Sequence, residues 1–162
     1  MNLQRCFILL FLLPLLASCN KPAKEFCFIE LSHTCGFDAP ATLTLDIKDT
    51  LTPMQMNLSA RLFDSAISEN GTISVVFKAI SPSGLCGCDT LYLPVNRKQN
   101  GNIAYNEGNG TLTLNWPYRK NIIFKESGVW TFSISPYNRT SQNDLYKNIT
   151  GLGISCKKEN TK

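Results

Sequence analysis

Histidine is nearly missing from this chain, which has His33 and no other among its 162 residues. A hydrolase that uses a histidine base would therefore have to be built around His33. No Gly-x-Ser-x-Gly nucleophile elbow accompanies that residue. A surface or capping role for His33 is the simpler interpretation, and we predict a protein that is not an enzyme.

The sequence also lacks a large cluster of charges of one sign. Lys and Arg number 16 against 12 Asp and Glu, a formal net charge of +4. The basic residues are scattered along the chain, apart from the closing stretch CKKENTK. The sequence shows no basic surface of the kind that binds phosphate backbones, so nucleic acid is not an expected partner.

Apolar runs of membrane-spanning length are missing as well. The run from Cys6 to Ala17 follows one cation, Arg5, and would form a helix of about 18 Å, short of the ~30 Å hydrocarbon core. This layout is typical of a cleaved secretory signal. The run closes with LASC, residues 16–19, which resembles a bacterial lipobox: an aliphatic residue, two small residues and a cysteine.

The lipobox predicts cleavage before Cys19 and acylation of its sulfur. Residues 1–18 are then a lipoprotein signal peptide, 19–25 a lipidated tether, 26–157 the folded domain and 158–162 a polar tail. Two or three palmitate-type chains are enough for stable anchoring, where a single chain is marginal. The residues after Cys19 lack a strong acidic cluster, which favours a periplasm-facing position on the outer membrane over surface exposure.

The dominant pattern after the tether is an apolar residue at every second position, which indicates half-buried strands. It is clearest in MQMNLSARLF, residues 54–63, and turn signals such as SPSG and EGNG separate the segments. We predict an all-β fold, a single-domain antiparallel β-sandwich of about 8–9 strands. One predicted strand covers residues 121–124, and residues 141–148 are expected to form about one helical turn.

Cysteines beyond the leader and Cys19 leave several pairings open. Their number is odd, so at least one stays unmatched if the others form disulfides in an oxidising compartment. They are Cys27, Cys35, Cys86, Cys88 and Cys156.

A metal site is the alternative for some of these cysteines. Cys86 and Cys88 could join His33 and Cys35 as four ligands for zinc or copper. Neither cysteine pair has the two-residue gap of a zinc knuckle, so structural disulfides or inert thiols are preferred and no cofactor is predicted.

Two further sets of residues suggest a link to sugars, one through glycan binding and one through O-glycosylation. Trp116 and Tyr118 are candidates for stacking on a glycan. Trp116 is expected to be exposed because Pro117 is predicted to end its strand, whereas Trp130 alternates with apolar residues and is assigned to the core. Three Asp-Ser/Thr-apolar triplets resemble the O-glycosylation acceptor pattern of Bacteroidetes. The acceptors would be Thr50, Ser65 and Thr90.

Several stretches resemble the gliding-motility lipoprotein H (GldH-like) family of Bacteroidetes. They are PYRKNIIFKESGVWTFSISPY (117–137), LYKNITGLGISCKKE (145–159), and NLSARLF with NGTISVVFKAISPSG (57–63 and 70–84). The resemblance implies a lipid-anchored accessory component of the gliding or a related secretion apparatus, and it carries no catalytic residues.

Together these observations predict a non-enzymatic envelope lipoprotein that works through contacts with other envelope proteins. The two alternatives are a surface glycan-binding lipoprotein and a metal-binding envelope protein.

Overall fold

The computed structural model describes residues 26–32, 36–67, 71–96, 103–106, 110–137 and 143–159. The strands are β1 Phe26–Glu30, β2 Ala41–Ile47, β3 Met54–Phe63, β4 Thr72–Ile80, β5 Cys86–Pro94, β6 Ile103–Asn106, β7 Thr111–Ile122, β8 Gly128–Pro136 and β9 Ile149–Lys158. The α-helix α1 spans Asn143–Lys147, and a 3-10 helix spans Asp64–Ala66. None of the helices in the described ranges is long and apolar enough to cross a membrane.

The strands form two sheets. Sheet A has the order β1-β9-β3-β7-β6, and sheet B has the order β2-β8-β4-β5. Neighbouring strands run antiparallel in every pair. This arrangement confirms the predicted antiparallel β-sandwich.

The alternation in the sequence decides which face of each strand is buried. In β2, Leu43 and Leu45 are each 1% exposed, whereas Thr42 and Thr44, which alternate with them, face solvent. Successive side chains of a strand point to opposite faces, so one face of each sheet is apolar and packs against the other sheet.

The core lies between the inner faces of the two sheets. Sheet B contributes Phe77 and Phe132, and sheet A contributes Leu58, Leu114 and Ile154, all at most 2% exposed. Burying a side chain of this size stabilises the fold by roughly 2 kcal/mol relative to leaving it in water.

Two local predictions differ from the structure. The predicted strand at residues 121–124 is the end of β7, which stops at Ile122; Phe124 is buried in the loop that follows. Strand β6 was not predicted, because IAYN is short and its neighbours give no sustained alternation. The predicted helical turn is confirmed as α1.

Helix α1 packs against the chain just before β2. Gly36 has a φ of +61°, and a Cβ there would lie 2.5 Å from the Cα of Lys147, so only glycine fits. Next to it, the Phe37 amide donates to the carbonyl oxygen of Tyr146 at 2.9 Å, and their rings meet edge to face. The Tyr146 hydroxyl in turn donates to the carbonyl oxygen of Ser74. The helix is thereby fixed to β4 of sheet B and to the chain that leads into β2 of the same sheet.

The outer face of sheet A carries one aromatic ring lying over glycines. Phe28 of β1 stands opposite Gly153 of β9, and a Cβ at Gly151 would lie 2.5 Å from its ring. The guanidinium of Arg61 covers the ring at 4.8 Å from its centroid and binds Glu30 at 2.6 Å. The GLG sequence of β9 thus makes room for Phe28.

Candidate functional site

A cavity of about 390 Å³ opens between the sheets at one end of the sandwich. At this end β7 terminates while β5 and β8 begin. We call it the end cavity and define it by the five aromatic side chains in its lining, which come from both sheets and from the loop between β7 and β8. They are Phe77, Tyr118, Phe124, Trp130 and Phe132.

The rings of the end cavity contact one another. Phe77 lies 4.7 Å from Tyr118 and 5.9 Å from Phe132, between ring centroids. Trp130 stacks on Phe132 at 6.5 Å and meets Phe124 edge to face at 5.0 Å. Such pairs stabilise the packing beyond their buried area, so the rings help to hold the cavity wall in shape.

An acidic group and a basic group flank the cavity on the β5 and β7 sides. Oδ2 of Asp89 accepts a hydrogen bond from the Tyr118 hydroxyl and one from the Arg119 guanidinium, the latter at 2.8 Å. The guanidinium also lies 5.2 Å from the Tyr118 ring centroid. Burial raises the pKa of the Tyr118 phenol, and the hydrogen bond to Asp89 raises it further. Tyr118 therefore stays protonated and acts as a fixed donor.

A second carboxylate, Glu126, holds the β7–β8 loop in place. It accepts hydrogen bonds from the Ser83 hydroxyl at 2.7 Å, the Ser83 amide at 2.9 Å and the Ser81 hydroxyl at 3.1 Å. The bonds from Ser83 lower the pKa of Glu126. The carbonyl oxygen of Glu126 accepts from the Trp130 indole at 3.0 Å. The loop is thus fixed to the β4–β5 turn and to the cavity wall.

The structure corrects the prediction for Trp116. Its side chain is 4% exposed, so it belongs to the core and offers no face to a glycan. Strand β7 does not end at Pro117 but continues to Ile122, because its pairing with β3 shifts register beside Asn57, the partner of Pro117. A register irregularity is where a strand tolerates proline.

The other two rings considered from sequence lie at the end cavity. Tyr118 is half-buried against Phe77, Asp89 and Arg119 and is not a free stacking platform. Trp130 packs against the core, as predicted, and also forms part of the cavity wall.

The three predicted glycosylation acceptors lie apart from one another. Ser65 and Thr90 are exposed, and Thr50 is half-buried. The aspartates of two triplets have structural partners: Asp49 binds Lys158, and Asp89 binds Arg119. These ion pairs explain the presence of the two aspartates without any role in glycosylation.

The cysteines of the described chain are free thiols. Cys86 and Cys88 are exposed, Cys27 is half-buried and Cys156 is buried. Cys19, His33 and Cys35 lie outside the described residues, so the four-ligand set is not brought together here. The described residues contain no group of three or more His, Cys, Asp or Glu side chains arranged to hold a metal ion.

Sequence analysis missed the residues that make the end cavity polar at its edge. Asp89 and Arg119 are 30 positions apart, and no local pattern links them. Phe124 was assigned to a strand, and Glu126 was not singled out. The one usable signal was the short alternation of Trp116 with Tyr118, which places both side chains on the inner face of β7.

The fold and the cavity define a β-sandwich with an aromatic-lined cavity at one end. No protein-family model matches the chain, and no curated protein matches it in sequence. Among solved structures, the CBM35 from Cellvibrio japonicus Abf62 is similar over 78% of this chain and 75% of that chain, with 16% identity and a TM-score of 0.28. That likeness is too distant to carry information about ligand or function.

Proposed function

We propose that this chain is a non-enzymatic binding protein of the cell envelope, anchored through acylated Cys19 and facing the periplasm. It functions by binding another envelope protein at the end cavity. The observation that carries the proposal is the cavity itself, whose volume and mainly apolar lining match those of ligand sites in proteins. The resemblance to the gliding-motility lipoprotein H family adds the type of assembly, a gliding or related secretion apparatus.

Two exposed apolar side chains beside the cavity support a protein partner. Leu85 is 70% exposed and Ile123 is 55% exposed, and both contribute to the cavity lining. Large apolar groups in water next to a preformed apolar cavity are typical of sites that receive an anchor side chain from a partner. The partner would therefore insert one large apolar side chain between Leu85 and Ile123.

The state of the carboxylates supports binding rather than proton transfer. Asp89 is held by Tyr118 and Arg119, and Glu126 is held by Ser81 and Ser83. The pKa of Glu126 is lowered, which is the opposite of what a general acid working near neutral pH needs. Both groups serve the architecture of the site.

Photo-crosslinking in the producing cells tests the partner site. A photoreactive residue replaces Ile123 in one variant and Tyr137 in a control. Tyr137 is equally exposed, at 54%, but lies past the other end of β8. We expect a protein adduct from position 123 that is absent from position 137 and is reduced by Leu85→Asp. Equal adducts at both positions, or adducts with lipid or sugar alone, would contradict the proposal.

The anchor has a separate test. Mass spectrometry of the mature amino terminus should find diacylated Cys19, and Cys19→Ala should move the protein from the membrane to the soluble fraction. An unmodified amino terminus at another residue would refute the anchor while leaving the cavity proposal open.

A second candidate function is glycan binding in the same cavity. The pair Asp89 and Arg119 beside a ring-lined wall favours it, because sugars bind through hydroxyls to planar polar groups and through apolar faces to rings. On a panel of polysaccharides, Arg119→Met should abolish binding, whereas Lys120→Met, the exposed neighbour, should not. Failure of the unmodified protein to bind any member would remove this candidate.

A further inference from the structure

Strand β5 carries two thiols on its outer face. Leu91 and Leu93 of this strand pack against the core, so the residues that alternate with them, including Cys86 and Cys88, point away from it. Both thiols are exposed and free. Strand β5 is an edge of sheet B, with β4 as its neighbour. The thiols are therefore accessible to solvent both from the outer face of sheet B and from its edge.

The spacing of the two thiols disfavours a disulfide between them. Residues two positions apart in a strand are separated by about 6.8 Å along the strand. A disulfide needs its two Cβ atoms within roughly 3.5–4.5 Å, so closing this pair would bend β5 out of its ladder. The ladder is regular here, with Cys86 opposite Ile80 and Cys88 opposite Lys78.

The same spacing suits one ion held between two sulfurs. With metal–sulfur bonds of about 2.3 Å, the length found in zinc thiolates, two bonds in line separate the sulfurs by roughly 4.6 Å. Rotation around each Cα–Cβ bond would bring the two sulfurs closer together without moving the backbone. The residue between them, Gly87, has no side chain, and nothing lies within 4 Å of the position that its Cβ would take. The space between the sulfurs is open.

The neighbourhood also suits the charge of such a complex. Two thiolates around a monovalent ion carry a net charge of −1. Lys78 stands directly opposite Cys88 in the register, and residues paired in this way share a face of the sheet. Its exposed ammonium offsets that charge. The other two described cysteines, Cys27 and Cys156, pack inward in sheet A and take no part.

We propose that Cys86 and Cys88 form a two-sulfur site for a soft monovalent cation, copper(I), on the outer face of β5. Thiolates are soft ligands, and copper(I) is a soft cation that such ligands favour. Binding exchanges two thiol protons for one copper(I), releases both protons to solvent and changes no oxidation state. The site lies at the rim of the end cavity, since Gly87 and Cys88 are among the residues that line that cavity.

The test is a titration of the full chain, reduced and then freed of reductant without oxygen. Copper(I) is added in competition with a chromogenic copper(I) chelator. We expect one copper(I) per chain and at least tenfold weaker binding in Cys86→Ser and in Cys88→Ser. Cys27→Ser is the matched control and should bind like the parent. X-ray absorption should show two sulfur neighbours.

Three outcomes would overturn the site. They are unchanged copper(I) binding by the double variant Cys86→Ser/Cys88→Ser, nitrogen ligands in the absorption spectrum, and a Cys86–Cys88 disulfide in protein whose thiols were blocked at cell lysis. Both substitutions lie on an exposed strand face, and chemical denaturation of each variant verifies that the fold is intact.

Discussion

The indole Nε1 of Trp116 donates a hydrogen bond of 2.9 Å to the carbonyl oxygen of Pro94. Trp116 belongs to β7 of sheet A and Pro94 ends β5 of sheet B, so this bond joins the two sheets directly. A buried indole N–H requires an acceptor, and here the acceptor comes from the opposite layer.

Replacing Trp116 with Phe removes this bond and part of the buried ring. We expect the free energy of unfolding to fall by about 1–2 kcal/mol, since a net hydrogen bond contributes about 1 kcal/mol and some buried area is also lost. Chemical denaturation measures the change. Tyr92→Phe, on the exposed face of β5, is the control and should stay within about 0.5 kcal/mol of the parent. A Trp116 variant as stable as that control would argue against the inter-sheet bond.

The Phe28 ring over β9 gives a second prediction. Gly151→Ala places a Cβ 2.5 Å from that ring, so we expect a loss of about 1–3 kcal/mol in unfolding free energy. Gly87→Ala, where nothing lies within 4 Å, should cost little.

A double variant isolates the cause of the Gly151 effect. If the clash is with the ring, Gly151→Ala should cost much less in a Phe28→Ala background than in the parent. Equal costs in both backgrounds would place the strain elsewhere.

The pairing of Asp49 with Lys158 predicts a loss of stability in acid. The Lys158 ammonium, 2.8 Å away, holds the pKa of the Asp49 carboxyl below its usual range, assisted by hydrogen bonds from Thr52. Because the folded-state pKa is depressed, the stabilisation is present above the unfolded pKa of about 3.9 and is lost as pH falls through the folded value.

Denaturation of Asp49→Asn at neutral and at acidic pH measures this contribution. The variant should be less stable than the parent at pH 7, and the difference should shrink below about pH 4. Lys158→Met removes the main cause and should reproduce part of the change. A difference that is independent of pH would rule out the ion pair as its source.

Tyr118 gives the prediction for alkaline pH. Its phenol pKa is raised by burial and by the bond to Asp89, so the associated stability is present below the unfolded pKa of about 10 and is lost as pH rises toward the folded value. Ultraviolet titration of the folded protein should show a tyrosine contribution that ionises only at strongly alkaline pH. Tyr118→Phe should reduce that late contribution.

The fold was predictable because one physical signal repeats along the chain. Alternation such as that of Leu43 and Leu45 in β2 is set by the geometry of a strand with one face in water, so it survives without any tertiary information. Strand β6 has no such pattern and was missed. Whether β7 continues past Pro117 depends on its register with β3, and the local sequence does not specify that register.

The candidate site was much less predictable, since it forms where distant segments meet. Asp89 and Arg119 become partners only when β5 and β7 close over the same end of the core. The exposure of Trp116 was misjudged for the same reason: its acceptor at Pro94 is 22 residues away in sequence. Residues that act together across two sheets need the topology before they can be recognised.

The start of β1 lies at the same end of the molecule as the end cavity. Phe26 stands opposite Ser155, which also pairs with Asn57, the neighbour of the cavity residue Met56. A fully extended segment of residues 19–25 reaches at most about 25 Å. With lipid on Cys19, the cavity mouth would stay near the bilayer surface.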